Sequence, residues 1–187
     1  MEYKNRSIKK YLNDLSARIP APGGGSAAAL TAAMGAGLLG MAVGFTLGKP
    51  RYAKFETELK AILSRSERLA EDFLRLVDLD ITAYRSGDAR KALDVPLMLA
   101  RLCYEAAKLC PALLKKGNPA LSSDVAIAAV FLESAFSSAC INVRINLKSI
   151  GQVKLANGVI RELDAKKKTI QRIRKNTEDG FGKIIGG

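Results

Sequence analysis

The chain has 187 residues, a formal net charge of +12, three cysteines and no histidine. That length suits a single domain, read over 1–187, with a core large enough to need no disulfide or metal staple. The missing histidine removes the commonest zinc ligand and the commonest general base, so chemistry here falls to carboxylates, amides, hydroxyls, lysines or backbone groups.

Residues 5–17 predict a short amphipathic helix, with Ile8, Tyr11, Leu12 and Leu15 on one stripe and Pro20 and Pro22 ending it. The opening MEYKNRSIKKYLNDL is too polar for a secretion signal. A second helix follows the glycines, with Ser26 as its expected N-cap, and reaches about Leu47 before Gly48 and Pro50 stop it. No charge stands between Arg18 and Lys49, a stretch long enough to cross a bilayer. Its composition argues against that: alanine and glycine dominate and contribute little insertion energy, so a buried core helix is the better reading and no membrane is expected. The spacing of Gly40, Gly44 and Gly48 suggests a close helix contact there.

A third helix is predicted over 52–84, closed by Ser86-Gly87-Asp88, and a fourth from Pro96, suited to a first turn, to Lys116. After Lys116-Gly117-Asn118-Pro119 comes an apolar fifth helix over 123–150, then a charged sixth from Gly151 to about Asn176. No alternating strand pattern appears, so the fold class is all-α, a bundle of about six helices with two apolar ones at its centre. Cys103, Cys110 and Cys140 lie in these apolar runs, form no CxxC pair, and read as reduced core thiols of a cytoplasmic protein. The charge favours an anionic partner, yet the basic run AKKKTIQRIRKN carries no aromatic for base stacking, so a solvated helix face is expected rather than a nucleic-acid site.

Three features carry candidate chemistry. Pro22-Gly23-Gly24-Gly25-Ser26 lacks the lysine of a phosphate loop, but three glycines able to take positive φ before a helix start can aim N–H groups at an anion. Gly23, Gly24, Gly25 and Ser26, with Lys49, are therefore candidate binding residues; a plain flexible loop is the other reading. On the fifth helix Ser134, Ser138, Asn142 and Asn146 form a polar row at four-residue spacing, either bonded to neighbouring helices or lining a pocket, with Asp124 and Asn118 at the helix entrance. Asp78 and Asp80 interrupt an apolar stretch of the third helix; two apart, they face different ways, whereas Asp80 and Tyr84 share a face. A carboxylate in a poorly hydrated pocket exchanges protons nearer neutrality.

PAPGGGSAAALTAAMGAGLLGMAVGFTLGK, VDLDITAY, GNPALSSDVAIAAV and NVRINLKSI, in this order, resemble the cyclodeaminase/cyclohydrolase family, which includes the C-terminal half of formiminotransferase-cyclodeaminase and free-standing methenyltetrahydrofolate cyclohydrolases. The resemblance covers nearly the whole chain and implies an all-helical homodimer acting on a tetrahydrofolate, with no metal or redox cofactor. It implies hydrolysis of 5,10-methenyltetrahydrofolate or cyclisation of formiminotetrahydrofolate with loss of ammonia. Asp80 is then the expected proton-transfer group and Asp78 the second choice, with Asn142, Asn146 and Asp124 orienting pterin or water. The connection from Tyr84 to Val95, RSGDARKALD, is shorter than in the family pattern. The alternative is therefore a folate-binding or interaction module of the same fold without turnover.

Overall fold

A computed structural model describes residues 2–186, and among these there is no strand. The helices are α1 (Ile8–Ser16), α2 (Gly24–Gly44), α3 (Glu56–Ser86), α4 (Ala89–Ala107), α5 (Cys110–Lys116), α6 (Ser122–Ile150) and α7 (Val153–Gly186), with short 3-10 turns at Tyr3–Asn5, Pro50–Phe55 and Pro119–Leu121. The six expected helices are all present, the fourth broken into α4 and α5 just before Pro111. Pro96 does not begin α4: the helix starts seven residues earlier, where Asp88 caps it by accepting from the N–H groups of Arg90 and Lys91. Ser26 is likewise not a cap. Gly23 holds that position in extended conformation, and Ser26 lies inside the first turn of α2.

The centre of the bundle is α2, flanked by α3 and α6. It runs antiparallel to α6: the Asn118 N–H, just before α6, donates to Thr46 Oγ1 past the end of α2, while Asn142 and Asn146, late on α6, approach the α2 start. Close packing falls at Gly35, where a Cβ would stand 3.0 Å from Leu132 and 3.3 Å from the Ala128 carbonyl oxygen. It does not fall on the expected glycine row, since Gly40 meets only ordinary contacts and Gly44 and Gly48 face open space. Leu39, Phe73, Leu132 and Phe136 are wholly buried where these helices meet. Each such side chain contributes about 1.5–3 kcal/mol to folding.

Gly24–Gly44 and Pro119–Ile150 are long and apolar enough to cross a membrane by length and composition, and 44% of the most apolar window of each is buried within the bundle. α7 carries much of the positive charge on an outer face, where Glu162 pairs with Arg101 of α4 and Asp164 with Arg144 of α6. Such exposed pairs add little stability, and the basic run reads as a solvated helix face. The three cysteines are free, and burial pushes the Cys110 thiol up to about 12 and that of Cys140 to about 11.

Candidate functional site

A cleft of about 230 Å³ opens where the start of α2, the end of α3, the start of α4 and the late part of α6 converge. Its walls include Gly23, Gly24 and Gly25, Asp80 and Tyr84, Ala92, and Asn142 with Asn146. Four helices thus bring small and polar residues to a single space. Tyr84, 61% exposed, stands at the mouth.

Asp80 is the one carboxylate in this lining. Its seat depends on Gly25: a Cβ there would lie 2.7 Å from the Asp80 carboxyl carbon and overlap its oxygens. The glycine is needed for space, not for backbone twist, because the positive-φ glycines are Gly48, Gly87 and Gly151. The expectation of positive φ in the glycine triplet is corrected accordingly; α2 simply begins there in ordinary helical conformation. Burial holds the Asp80 carboxyl above its usual range, and the backbone N–H of Ser26 pulls in the opposite direction. The result is a carboxyl group that keeps its proton to higher pH than an exposed aspartate does.

The amide row is only half in the site. Asn142 and Asn146 line the cleft, while Ser138 bonds back to the Ser134 carbonyl on its own helix. Asn146 has a further task. Pro96 lacks an N–H, so the Ala92 carbonyl one turn earlier has no backbone donor inside α4, and the Asn146 side chain donates to it. One amide N–H is thereby committed to the fold, and the orientation of the side chain at the cleft wall is fixed.

Other expected site residues lie elsewhere. Asp78 faces the N-terminal segment, accepting from the backbone N–H groups of Tyr3 (2.6 Å) and Lys4 (3.3 Å). Lys49 borders a separate, smaller cleft past the far end of α2, with Tyr52 and Glu56. At 1.5 Å per residue, α2 alone separates it from the glycines by about 30 Å. Asp124 opens α6, eighteen residues before Asn142, or roughly 27 Å along that helix. The expected grouping of Asp124 and Lys49 with the glycines therefore does not occur within one chain.

Sequence reading missed two participants. Ala92, in the short Tyr84–Val95 connection, supplies cleft wall and a carbonyl anchor for Asn146. Tyr11, read only as a stripe residue, is buried and donates from its hydroxyl to Ser26 Oγ at 3.1 Å. The signal for Ala92 was Pro96, four residues on; for Tyr11 it was a hydroxyl on an otherwise apolar stripe. Among the described residues, no group of three or more cysteines, aspartates or glutamates is placed to hold a metal ion.

Comparison with known proteins agrees with this fold. The family model described as formiminotransferase-cyclodeaminase matches residues 7–87 and 86–165. The chain is 31% identical to a methenyltetrahydrofolate cyclohydrolase of Methylorubrum extorquens, over 86% of this chain and 88% of that protein. It is 30% identical to the formimidoyltransferase-cyclodeaminase of Sus scrofa over 78% of this chain, spanning 31% of that longer relative. A crystal structure of formiminotetrahydrofolate cyclodeaminase from Thermotoga maritima superposes with a TM-score of 0.93 at 25% identity, covering 98% of this chain and all of that one.

Proposed function

Because the chain belongs to the formiminotransferase-cyclodeaminase family, we propose that it is a tetrahydrofolate one-carbon enzyme that hydrolyses 5,10-methenyltetrahydrofolate to 10-formyltetrahydrofolate. The observation that carries the reading is Asp80: a half-buried carboxyl group with a raised pKa, seated on a glycine in a cleft of amides. The bridging carbon of the substrate is an electrophilic amidinium. A water oxygen attacks that carbon while Asp80 takes one of its protons. The adduct then collapses: the bond to the pterin ring nitrogen breaks, that nitrogen receives the proton from Asp80, and the remaining hydroxyl proton leaves to solvent as the formyl group forms. Asn142 and Asn146 orient water or pterin, and the open space at Gly23 and Gly24 admits the ligand beside the start of α2. No metal or redox group is required by these steps.

A second reaction suits the same carboxyl group and is favoured by the full-length match to a cyclodeaminase structure. There a folate nitrogen attacks the formimino carbon, and Asp80 supplies the proton with which ammonia departs. Two measurements separate the readings: loss of the methenyltetrahydrofolate absorbance on adding purified protein, and ammonia release from formiminotetrahydrofolate. Methenyl loss without ammonia release is the expected outcome. Binding of either folate without any turnover would instead identify a ligand-binding module.

The protein is further proposed to be a soluble cytoplasmic homodimer. Only 44% of the most apolar stretch of α2 and of α6 is buried within the chain. Met34 and Met41 of α2, Phe45 just past its end, and Ile127, Val130 and Ile141 of α6 remain exposed, a surface that a second copy would cover.

A further inference from the structure

Behind the cleft lies a buried phenol that the reaction above does not use. Tyr11 of α1 is 4% exposed, and its hydroxyl donates to Ser26 Oγ, on a residue that is wholly buried. Ser26 directly follows Gly25, the residue whose missing Cβ admits the Asp80 carboxylate, and the Ser26 backbone N–H faces that carboxylate. Ring packing does not call for the hydroxyl. The Tyr11 ring is held from outside by Tyr3, edge-to-face at 5.5 Å, and Tyr3 is itself anchored through its hydroxyl to Asp14 and through its N–H to Asp78. A phenylalanine would fill the same volume without bringing a polar group into the core.

We infer that Tyr11 and Ser26 are a positioning pair for proton transfer: the phenol holds the Ser26 hydroxyl, which fixes the first turn of α2 so that its N–H stays on Asp80 and the carboxylate stays seated over Gly25. The inference rests on the reading of Asp80 as the proton-transfer group in folate turnover. Burial is the larger influence on Asp80, and this pair governs the backbone N–H that opposes it. α1 contributes Tyr11, α2 only glycines and the Ser26 N–H, α3 its own Tyr84 one turn on, α4 Ala92, and α6 the uncharged Asn142 and Asn146. No lysine or arginine belongs to the cleft lining. With no lysine or arginine in the lining, the Ser26 N–H is the contact that opposes burial in setting when Asp80 ionises.

The test compares wild type, Tyr11→Phe, Ser26→Ala and the double variant as full-length protein. Asp80 titration is followed by carboxyl carbon NMR, assigned with Asp80→Asn; kcat, KM and the pH profile are taken with methenyltetrahydrofolate and formiminotetrahydrofolate, and Tm with each sample. Both single variants keep the Ser26 backbone N–H but let it wander, so the Asp80 titration moves upward, the acidic limb of the kcat profile moves with it, and kcat falls about 10-fold while KM changes little. The double variant is no worse than the more affected single one, because both remove the same link. An Asp80 titration that superimposes on wild type in both single variants, with only Tm lowered, overturns the inference. A wild type that turns over neither folate refutes the assigned reaction, while the titration still decides whether the pair controls Asp80.

Discussion

Asn146 donates its side-chain amide to the carbonyl oxygen of Ala92, the acceptor that Pro96 leaves without a helical donor. A proline inside a helix is thus turned into a cross-link between α4 and α6 at the wall of the cleft. Asn146→Ala leaves that carbonyl unsatisfied and is expected to cost about 1–3 kcal/mol in urea unfolding, with no change in the slope against denaturant. Loss of stability within error of zero would show that the bond contributes nothing.

Asp80→Asn separates function from folding. Removing ionisation while keeping shape is expected to reduce turnover about 100-fold or more. Stability should move the other way. Burial raises the folded-state pKa of Asp80, so its favourable contribution is full below the unfolded pKa and is lost as pH rises through the folded value. Above that range the variant should unfold at higher temperature than wild type, and below the ordinary carboxylate range the two should converge. Calorimetry at both ends of the pH scale checks the sign.

Asp78 gives the contrasting result. Its carboxylate clasps the N–H groups of Tyr3 and Lys4 and does not line the cleft. Asp78→Ala is expected to lower stability by about 1–2 kcal/mol through loss of charge-assisted bonds, with turnover within about 3-fold of wild type once folded. A collapse of kcat matching that of Asp80→Asn would return Asp78 to the chemistry.

Gly25→Ala and Gly24→Ala form a pair one residue apart. At Gly25 the new methyl group displaces Asp80, and turnover should fall about 100-fold, as expected of a misplaced reacting group. At Gly24 a Cβ meets nothing within 4 Å, so helix content and Tm should be unchanged or slightly raised. Circular dichroism and kinetics on both variants decide whether space at one position, rather than a flexible loop, is what the glycines provide.

The proposed dimer predicts that Met41→Glu, on the exposed surface with Met34, yields a folded monomer by light scattering. An unchanged dimer would place the interface elsewhere.

Helix periodicity and the position of Asp80 in an apolar run were legible in the sequence, and so was its shared face with Tyr84, since both follow from local geometry. The choice between Asp78 and Asp80 was not: residues two apart on a helix point apart, and only the neighbours decide which is seated in a cleft. Lys49 was grouped with the glycines although a rigid α2 places it at the other end of the bundle, and Asp124 with Asn142 although α6 separates them. Helix length times rise carried that information. The start of α4 was hidden because Pro96 suits a first turn by itself, and nothing local announces that an asparagine fifty residues later will satisfy the freed carbonyl. The Tyr11 hydroxyl stood out on an apolar stripe, but its partner Ser26 lies beyond the turn at Pro20 and Pro22, out of reach of local geometry.

An acid whose cleft lining holds no lysine or arginine responds to the charge of its visitor. A cationic amidinium entering the cleft favours the carboxylate and lowers the pKa of Asp80; a folate whose pterin carries no positive charge does not. Occupancy and protonation then become one coordinate, so the substrate arms its own base and the product disarms it. Calorimetric binding enthalpies for a cationic, unreactive folate analogue should accordingly vary with the ionisation heat of the buffer, and those for tetrahydrofolate itself should not.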